Sequence, residues 1–311
     1  MQLEYNAFAP ACIPVCTFTI SKNGIKDFNS TFIRLTSFKG HENQGPRALE
    51  AINKKVCDWR YESKPLDFLS IPGNPIAYWI SEELRAAFSK YPSFNKFASA
   101  RQGLATADNN RFLRLWYEID TNLLELNCGS NEETFEVNAK WFPHSKGGGF
   151  RRWYGNNEWV INWKNNGAEL RAFKKCVIRN PDDYFKGGIT WCDLTSSYFN
   201  ARNVSKGYVF DTTGPTAVLL NEEQKYALHA LMNSSTFQAL VNVSLQGLHY
   251  SNGIISKMPV NPDIFINEKL VSNTKTLERL SKEDWDQFET SWEFKSSPLI
   301  ENRNSSIKVA Y

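Results

Sequence analysis

The sequence predicts a mixed α/β fold, on three observations. Short apolar runs rich in β-branched and aromatic residues are bounded by Gly and Asn turns, as strands are. Between them lie stretches with apolar residues three and four positions apart, the spacing of one helix face. The 311 residues are 41% hydrophobic and 22% charged, enough apolar material for one large domain or two ordinary ones and too much for a disordered chain.

In chain order, ACIPVCTFTI at 11–20 and TFIRLT at 31–36 read as a hairpin of buried strands around a turn containing Asn23-Gly24. Ala48, Leu49, Ile52 and Val56 share a helix face within 47–57. A second helix is expected over 76–91, opening behind Pro75. From 101 the character changes. RFLRLWYEI at 111–119 alternates like a strand with two different faces, and 120–139 is an acidic, Asn-rich connection. WVINW at 159–163, ITW at 189–191 and GYVFDTT at 207–213 read as further strands. Residues 222–243 read as two helices broken at Asn233-Ser234-Ser235, and Pro259 and Pro262 mark a boundary before a helical tail. Ser281 and Asp284 have the spacing of a capping box. The expected divisions are 1–100, 101–262 and 263–311.

Several function classes are disfavoured. No apolar run reaches the roughly 18 residues of a membrane span. The opening residues lack a basic stretch followed by an apolar one, which argues against secretion and for the cytoplasm. The six cysteines, Cys12, Cys16, Cys57, Cys128, Cys176 and Cys192, are scattered and form no CxxC pair, so reduced thiols are expected and no metal site. His41, His144, His229 and His249 stand far apart, without ligand or triad spacing. Lys146-Gly147-Gly148-Gly149 only superficially resembles a phosphate loop, because no GxxxxGK[ST] pattern follows. Asn180-Pro181-Asp182-Asp183-Tyr184-Phe185 is superficially like the Asn-Pro-Pro-Tyr motif of amino-group methyltransferases and reads as an Asn-Pro turn.

The net charge of +3 averages over unlike segments. Residues 140–210 hold 12 basic against 5 acidic residues, five of the ten Trp and eight of the 17 Gly. Cations, flat side chains and Gly loops together suit a polyanion surface, and the densest part is KWFPHSKGGGFRRWYGNN at 140–157. The same composition also serves an ordinary core with a solvated basic face, or sugar stacking on exposed Trp.

GLATADNNRFLRLWYE at 103–118, the 140–167 segment, RNPDDYFKGGITWCDLTSSYFNAR at 179–202, GYVFDTTG at 207–214 and SKEDWDQFETSWEF at 281–294 resemble, in order and spacing, the PglX family of BREX phage-defence adenine-specific DNA methyltransferases. Ala107 departs from the family, where Gly is expected; if that position has positive φ, Ala strains it. The resemblance implies a SAM-dependent methyltransferase domain followed by a target-recognition domain. Neither the Gly-rich SAM loop nor the Asn-Pro-Pro-Tyr motif is in this chain. Residues 1–100 therefore resemble the last strands of a Rossmann-like methyltransferase sheet plus a connector, residues 101–262 an α+β target-recognition domain, and residues 263–311 a helical tail.

On that resemblance the chain is expected to recognise double-stranded DNA without binding S-adenosylmethionine itself. It is expected to be inactive without an N-terminal methyltransferase half, and other phage-defence proteins are candidate partners. Lys146, Arg151 and Arg152 are the candidate phosphate contacts, with Gly147, Gly148 and Gly149 allowing close backbone approach. Asn109, Asn110, Arg111, Asn156 and Asn157 are candidates for base-edge readout. Trp153 and Tyr154 either stack on the nucleic acid or brace the loop. A non-enzymatic nucleic-acid-binding module and a carbohydrate-binding module are the alternatives.

Overall fold

The computed structural model describes residues 1–4, 7, 15–25, 27–245 and 247–301. The chain divides into two compact units, Met1–Lys90 and Tyr91–Tyr311, with a mixed α/β composition overall.

In the first unit β1 (Ser30–Ile33) lies antiparallel to β2 (Arg60–Ser63), with Phe32 opposite Tyr61. The helix α1 (His41–Asn53) connects them, and Ile33, Leu35 and Ala51 form the small core. The expected hairpin is therefore corrected. The partner of β1 is Arg60–Ser63; residues 11–14 lie outside the described residues, and Phe18 and Ile20 are exposed rather than buried. The expected face of α1 is corrected too, because Leu49, Ile52 and Val56 point to solvent while Ala51 and Gln44 are buried. Gln44 tethers that face, donating to the Phe38 carbonyl and accepting from the Glu4 amide. The second helix, α2 (Glu82–Lys90), starts later than Pro75 suggests, since the Ser81 hydroxyl accepts from the Leu84 amide and caps it.

The second unit holds two four-stranded sheets. One contains β3 (Ala98–Arg101), β10 (Thr216–Leu219), β7 (Gly188–Trp191) and β8 (Ala201–Val204), in that spatial order and wholly antiparallel. The other contains β4 (Leu113–Leu115), β6 (Trp159–Asn162), β5 (Trp141–Ser145) and β9 (Val209–Phe210). Only its last pair, β5 with β9, is parallel. Phe112, Phe142, Ile161, Trp163, Phe185 and Phe210 make the core around this second sheet. Every residue of β5, β7 and β8 is buried, so these strands show no alternation of polar and apolar positions.

The expected strand over 111–119 shrinks to β4. The Asp108 carboxylate accepts from the Arg111 amide and caps a single helical turn, α3 (Asn109–Phe112). The Glu118 carboxylate accepts from the Leu115 amide and starts a 3-10 turn at Trp116–Glu118. Further along, α4 (Lys164–Ala172) follows β6 and is regular only after the left-handed residues Asn165, Asn166 and Gly167, and Asn180 begins the expected Asn-Pro turn in a left-handed conformation. The two helices expected over 222–243 are α5 (Lys225–Met232) and α6 (Ser235–Ser244), the second capped by Ser234. Short α7 (Asn252–Ile255) leads on to α8 (Glu268–Asp286), which packs against α5. The capping box is also corrected. Asn267 caps α8, and Ser281 lies in its fourth turn, facing the loop that joins β5 to β6.

Ala107 has φ 56, the left-handed region that the family comparison of Ala with Gly anticipates. Its side chain is exposed, so replacing it relieves backbone strain without opening a cavity. Ala107→Gly is expected to raise folding stability by about 1 kcal/mol in urea denaturation; an unchanged or lower midpoint would show that the turn carries no strain.

Candidate nucleic-acid interface

The segment 146–157 joins the end of β5 to the start of β6, and its support is assembled from four other elements. At its root His144 is fully buried, with Nδ1 3.1 Å from the Val209 carbonyl and Nε2 3.4 Å from Asp211 Oδ2. Asp211 Oδ1 accepts from the Thr213 amide at 2.8 Å and from the Thr213 hydroxyl at 2.8 Å. Burial alone would push the Asp211 carboxyl up, but the hydrogen bond and charge of His144 and the Thr213 donors outweigh it and hold the carboxyl well below the usual carboxylate range. The strand end from which the loop departs is therefore an ionised, fully engaged node.

Gly147 and Gly148 have φ 77 and φ 113. A Cβ at Gly147 would stand 2.7 Å from the Thr213 carbonyl oxygen, so backbone as well as φ demands Gly there. Lys146 is half-buried with its ammonium 5.6 Å from the Trp159 ring, and burial lowers its pKa, partly offset by the charge of Asp211. Arg152 is exposed and lies over the Phe150 ring. Neither Lys146 nor Arg152 has a carboxylate within 4.0 Å among the described residues.

The other candidates in this segment are engaged with the protein. Arg151 donates to Asp284 Oδ2 at 3.0 Å and lies over the Trp285 ring, both on α8. Trp153, at φ 72, joins the edge of β8: its amide donates to the Ala201 carbonyl, and the Asn203 amide donates to its carbonyl. Its ring packs 5.1 Å from that of buried His229 on α5. Tyr154 is buried beneath Lys282. The Ser281 hydroxyl, within reach of both the Arg152 and Tyr154 carbonyls, closes α8 onto the loop. Asn156 Nδ2 donates to the Gly149 carbonyl at 2.8 Å, and Asn157 is buried. Trp153 and Tyr154 thus brace the loop in this structure.

The second candidate group lies elsewhere. Leu113 of β4 and Phe142 of β5 both oppose Ile161 of β6, so α3 sits at the end of the sheet where β5 begins, whereas the loop leaves from where β5 ends. There Arg111 donates twice to Glu169 Oε1, at 2.8 and 3.0 Å, and lies over the Phe112 and Phe173 rings. Asn109 Oδ1 accepts from the Thr106 hydroxyl at 2.6 Å, and Asn110 is exposed. The structure does not bring Asn109–Arg111 and Lys146–Asn157 to one end of the sheet.

Two residues of the region escaped the sequence reading. Phe150 is 49% exposed on the loop, and Arg202, on β8 behind it, is 1% exposed. An apolar residue following three glycines is a weak signal of exposure, and nothing in the local pattern ARNV marks its Arg as buried. Of the five Trp in the basic segment, Trp141, Trp163 and Trp191 are buried. Among the described residues no three His, Cys, Asp or Glu side chains gather into a metal site, and no helix is long and apolar enough to cross a membrane.

Comparison with known proteins supplies the class: the chain is similar to adenine-specific methyltransferases. It is 37% identical over 302 residues to the adenine-specific methyltransferase BrxX of Escherichia coli O9:H4 (strain HS), an alignment covering 96% of this chain and 23% of that protein. It is 29% identical over 313 residues to the adenine-specific methyltransferase PglX of Lacticaseibacillus casei (strain Zhang), covering 96% of this chain and 26% of that one. No family model matches. The chain is thus similar to these adenine-specific methyltransferases over nearly all of its own length, and it spans about a quarter of the length of the curated relatives it matches.

Proposed function

We propose that the chain is the DNA sequence-recognition portion of a site-specific, SAM-dependent N6-adenine DNA methyltransferase of a BREX-type phage-defence system. The observation that carries this reading is the loop at 146–152. It presents two cations without carboxylate partners and an exposed aromatic on a braced backbone, in a relative of adenine-specific methyltransferases. Phosphates are met by Lys146, Arg152 and the glycine backbone, and Arg151 holds the loop to α8. Asn110 and Arg111, both at the other end of the sheet, remain the base-edge candidates, with Phe150 as a wedge or stacking group.

The glycine loop joins two antiparallel strands, unlike a cofactor turn that leads from a strand into a helix, so its residues do not fit S-adenosylmethionine. In this reading cofactor and catalysis come from a methyltransferase domain outside the chain, residues 1–100 are the end of that domain with its connector, and the protein works in the cytoplasm with other defence components. The burial of three of the five Trp weakens the sugar-binding alternative.

A salt titration with duplex DNA tests the proposal. Lys146→Ala with Arg152→Ala is expected to weaken binding about 10- to 100-fold near physiological salt and to flatten the dependence of log affinity on log salt by about 1.8. Arg151→Ala alone should change the slope less. An unchanged slope in the double variant removes the phosphate role, and DNA binding without sequence preference favours a non-enzymatic nucleic-acid module.

A further inference from the structure

Behind the glycine loop stands a buried charge with no counter-charge. Arg202 is 1% exposed, and no carboxylate lies within 4.0 Å of its guanidinium among the described residues. Its Nη1 donates to Asn200 Oδ1 at 3.0 Å and approaches Cys192 Sγ at 3.4 Å, its Nη2 donates to the Gly147 carbonyl at 3.1 Å, and its Nε has no partner. Burying an arginine without an acid is costly, and something must draw benefit from the field it creates.

The loop carbonyls show where that field is directed. Four consecutive carbonyls accept from four internal donors: Lys146 from the Thr213 hydroxyl at 2.9 Å, Gly147 from Arg202, Gly148 from the Cys192 thiol at 3.0 Å, and Gly149 from Asn156 Nδ2. In a trans peptide the carbonyl of one residue and the N–H of the next point in opposite directions. The amides of Gly148, Gly149 and Phe150 therefore point away from those donors. All three residues are exposed, and none of these amides donates to any group among the described residues. Successive unpaired amides are the donors from which anion-binding sites are built, and the guanidinium bonded to the Gly147 carbonyl polarises the Gly147–Gly148 peptide so that its N–H end is the more positive.

We propose that the amides of Gly148, Gly149 and Phe150 bind a phosphate group, with Arg202 as the positioning residue that charges the loop from behind and Lys146 and Arg152 flanking it. The phosphate is a backbone phosphodiester of duplex DNA, which rests on the function proposed above; free phosphate offers the same chemistry. Because the donors are main-chain, the site fixes the register of the nucleic acid without reading its sequence.

The test follows the backbone amide resonances of the chain during titration with inorganic phosphate and, separately, with mixed-sequence duplex DNA. Phosphate is expected to shift the amides of Gly148, Gly149 and Phe150, with the shifts lost in Arg202→Met and largely kept in Arg202→Lys. Gly149→Pro, which removes one donor, is expected to weaken binding of either probe about tenfold. Gly149→Ala should be nearly silent, since a Cβ there meets nothing within 4 Å; this pair keeps the test valid should the Arg202 variants fail to fold. If phosphate leaves all three amides unmoved, or Gly149→Pro and Gly149→Ala bind alike, the site is wrong even if DNA binds elsewhere on the chain. Shifts with phosphate but none with DNA would instead overturn the DNA assignment and leave the anion site standing.

Discussion

Asp211→Ala is expected to lower folding stability by about 3 kcal/mol, because a buried carboxylate that several groups hydrogen-bond to is removed and those groups lose their partner. The carboxylate faces His144 at 3.4 Å and accepts from the Thr213 amide and hydroxyl, while its own backbone carbonyl accepts from Gly103. The His144 ring is fully buried and has no water to turn to once the carboxylate is gone. Because the folded-state carboxyl lies below its unfolded value, its contribution is complete above about pH 4 and is lost as the pH falls toward and through the folded pKa. Urea denaturation between neutral pH and about pH 2.5 should therefore show the wild-type and Asp211→Ala curves converging as acid is added. A constant gap would mean that the carboxylate contributes by shape rather than charge.

Gly103→Ala is expected to be as damaging, at about 3 kcal/mol or more. A Cβ at this position would stand 1.7 Å from the Phe210 carbonyl oxygen, and that same oxygen accepts from the Leu104 amide at 3.0 Å. The chain cannot back away without giving up the pairing that joins 103–104 to 210–211. Since Gly103 and Asp211 hold one junction, the double variant should lose less than the sum of the two single losses. A shift in the urea midpoint worth less than about 1 kcal/mol for Gly103→Ala would show that the junction yields easily.

How much of this was legible in the sequence depends on whether a residue's neighbours in space resemble its neighbours in the chain. The paired helices α5 and α6 follow from apolar spacing and from Ser234, and Phe237, Leu240 and Val241 are buried as the spacing predicts. β6 and β7 follow from apolar runs between turn residues. By contrast β5, WFPHS, carries a proline and a histidine yet is wholly buried, because His144 is satisfied by β9 and Asp211 more than 60 residues away. β8, ARNV, hides its arginine for the same kind of reason. The basic, glycine-rich loop was visible as composition, but which of its cations face solvent was not. Arg151 and Arg152 are adjacent and chemically identical, and only the position of Asp284 on α8 separates their roles. In the family resemblance Ala107 stood out correctly as a positive-φ position, whereas the steric demand at Gly103, four residues earlier in the same motif, depends on a strand that the motif does not contain.

The closure of α8 over the loop also sets an order of events during synthesis. Ser281 reaches the Arg152 carbonyl across 129 residues and Asp284 reaches Arg151 across 133. At ordinary translation rates, residues 150–154 leave the ribosome on the order of ten seconds before the helix that fastens them. During that interval Phe150, Trp153 and Tyr154 belong to an unfinished surface, and the glycine loop is among the last parts of the chain to acquire its shape.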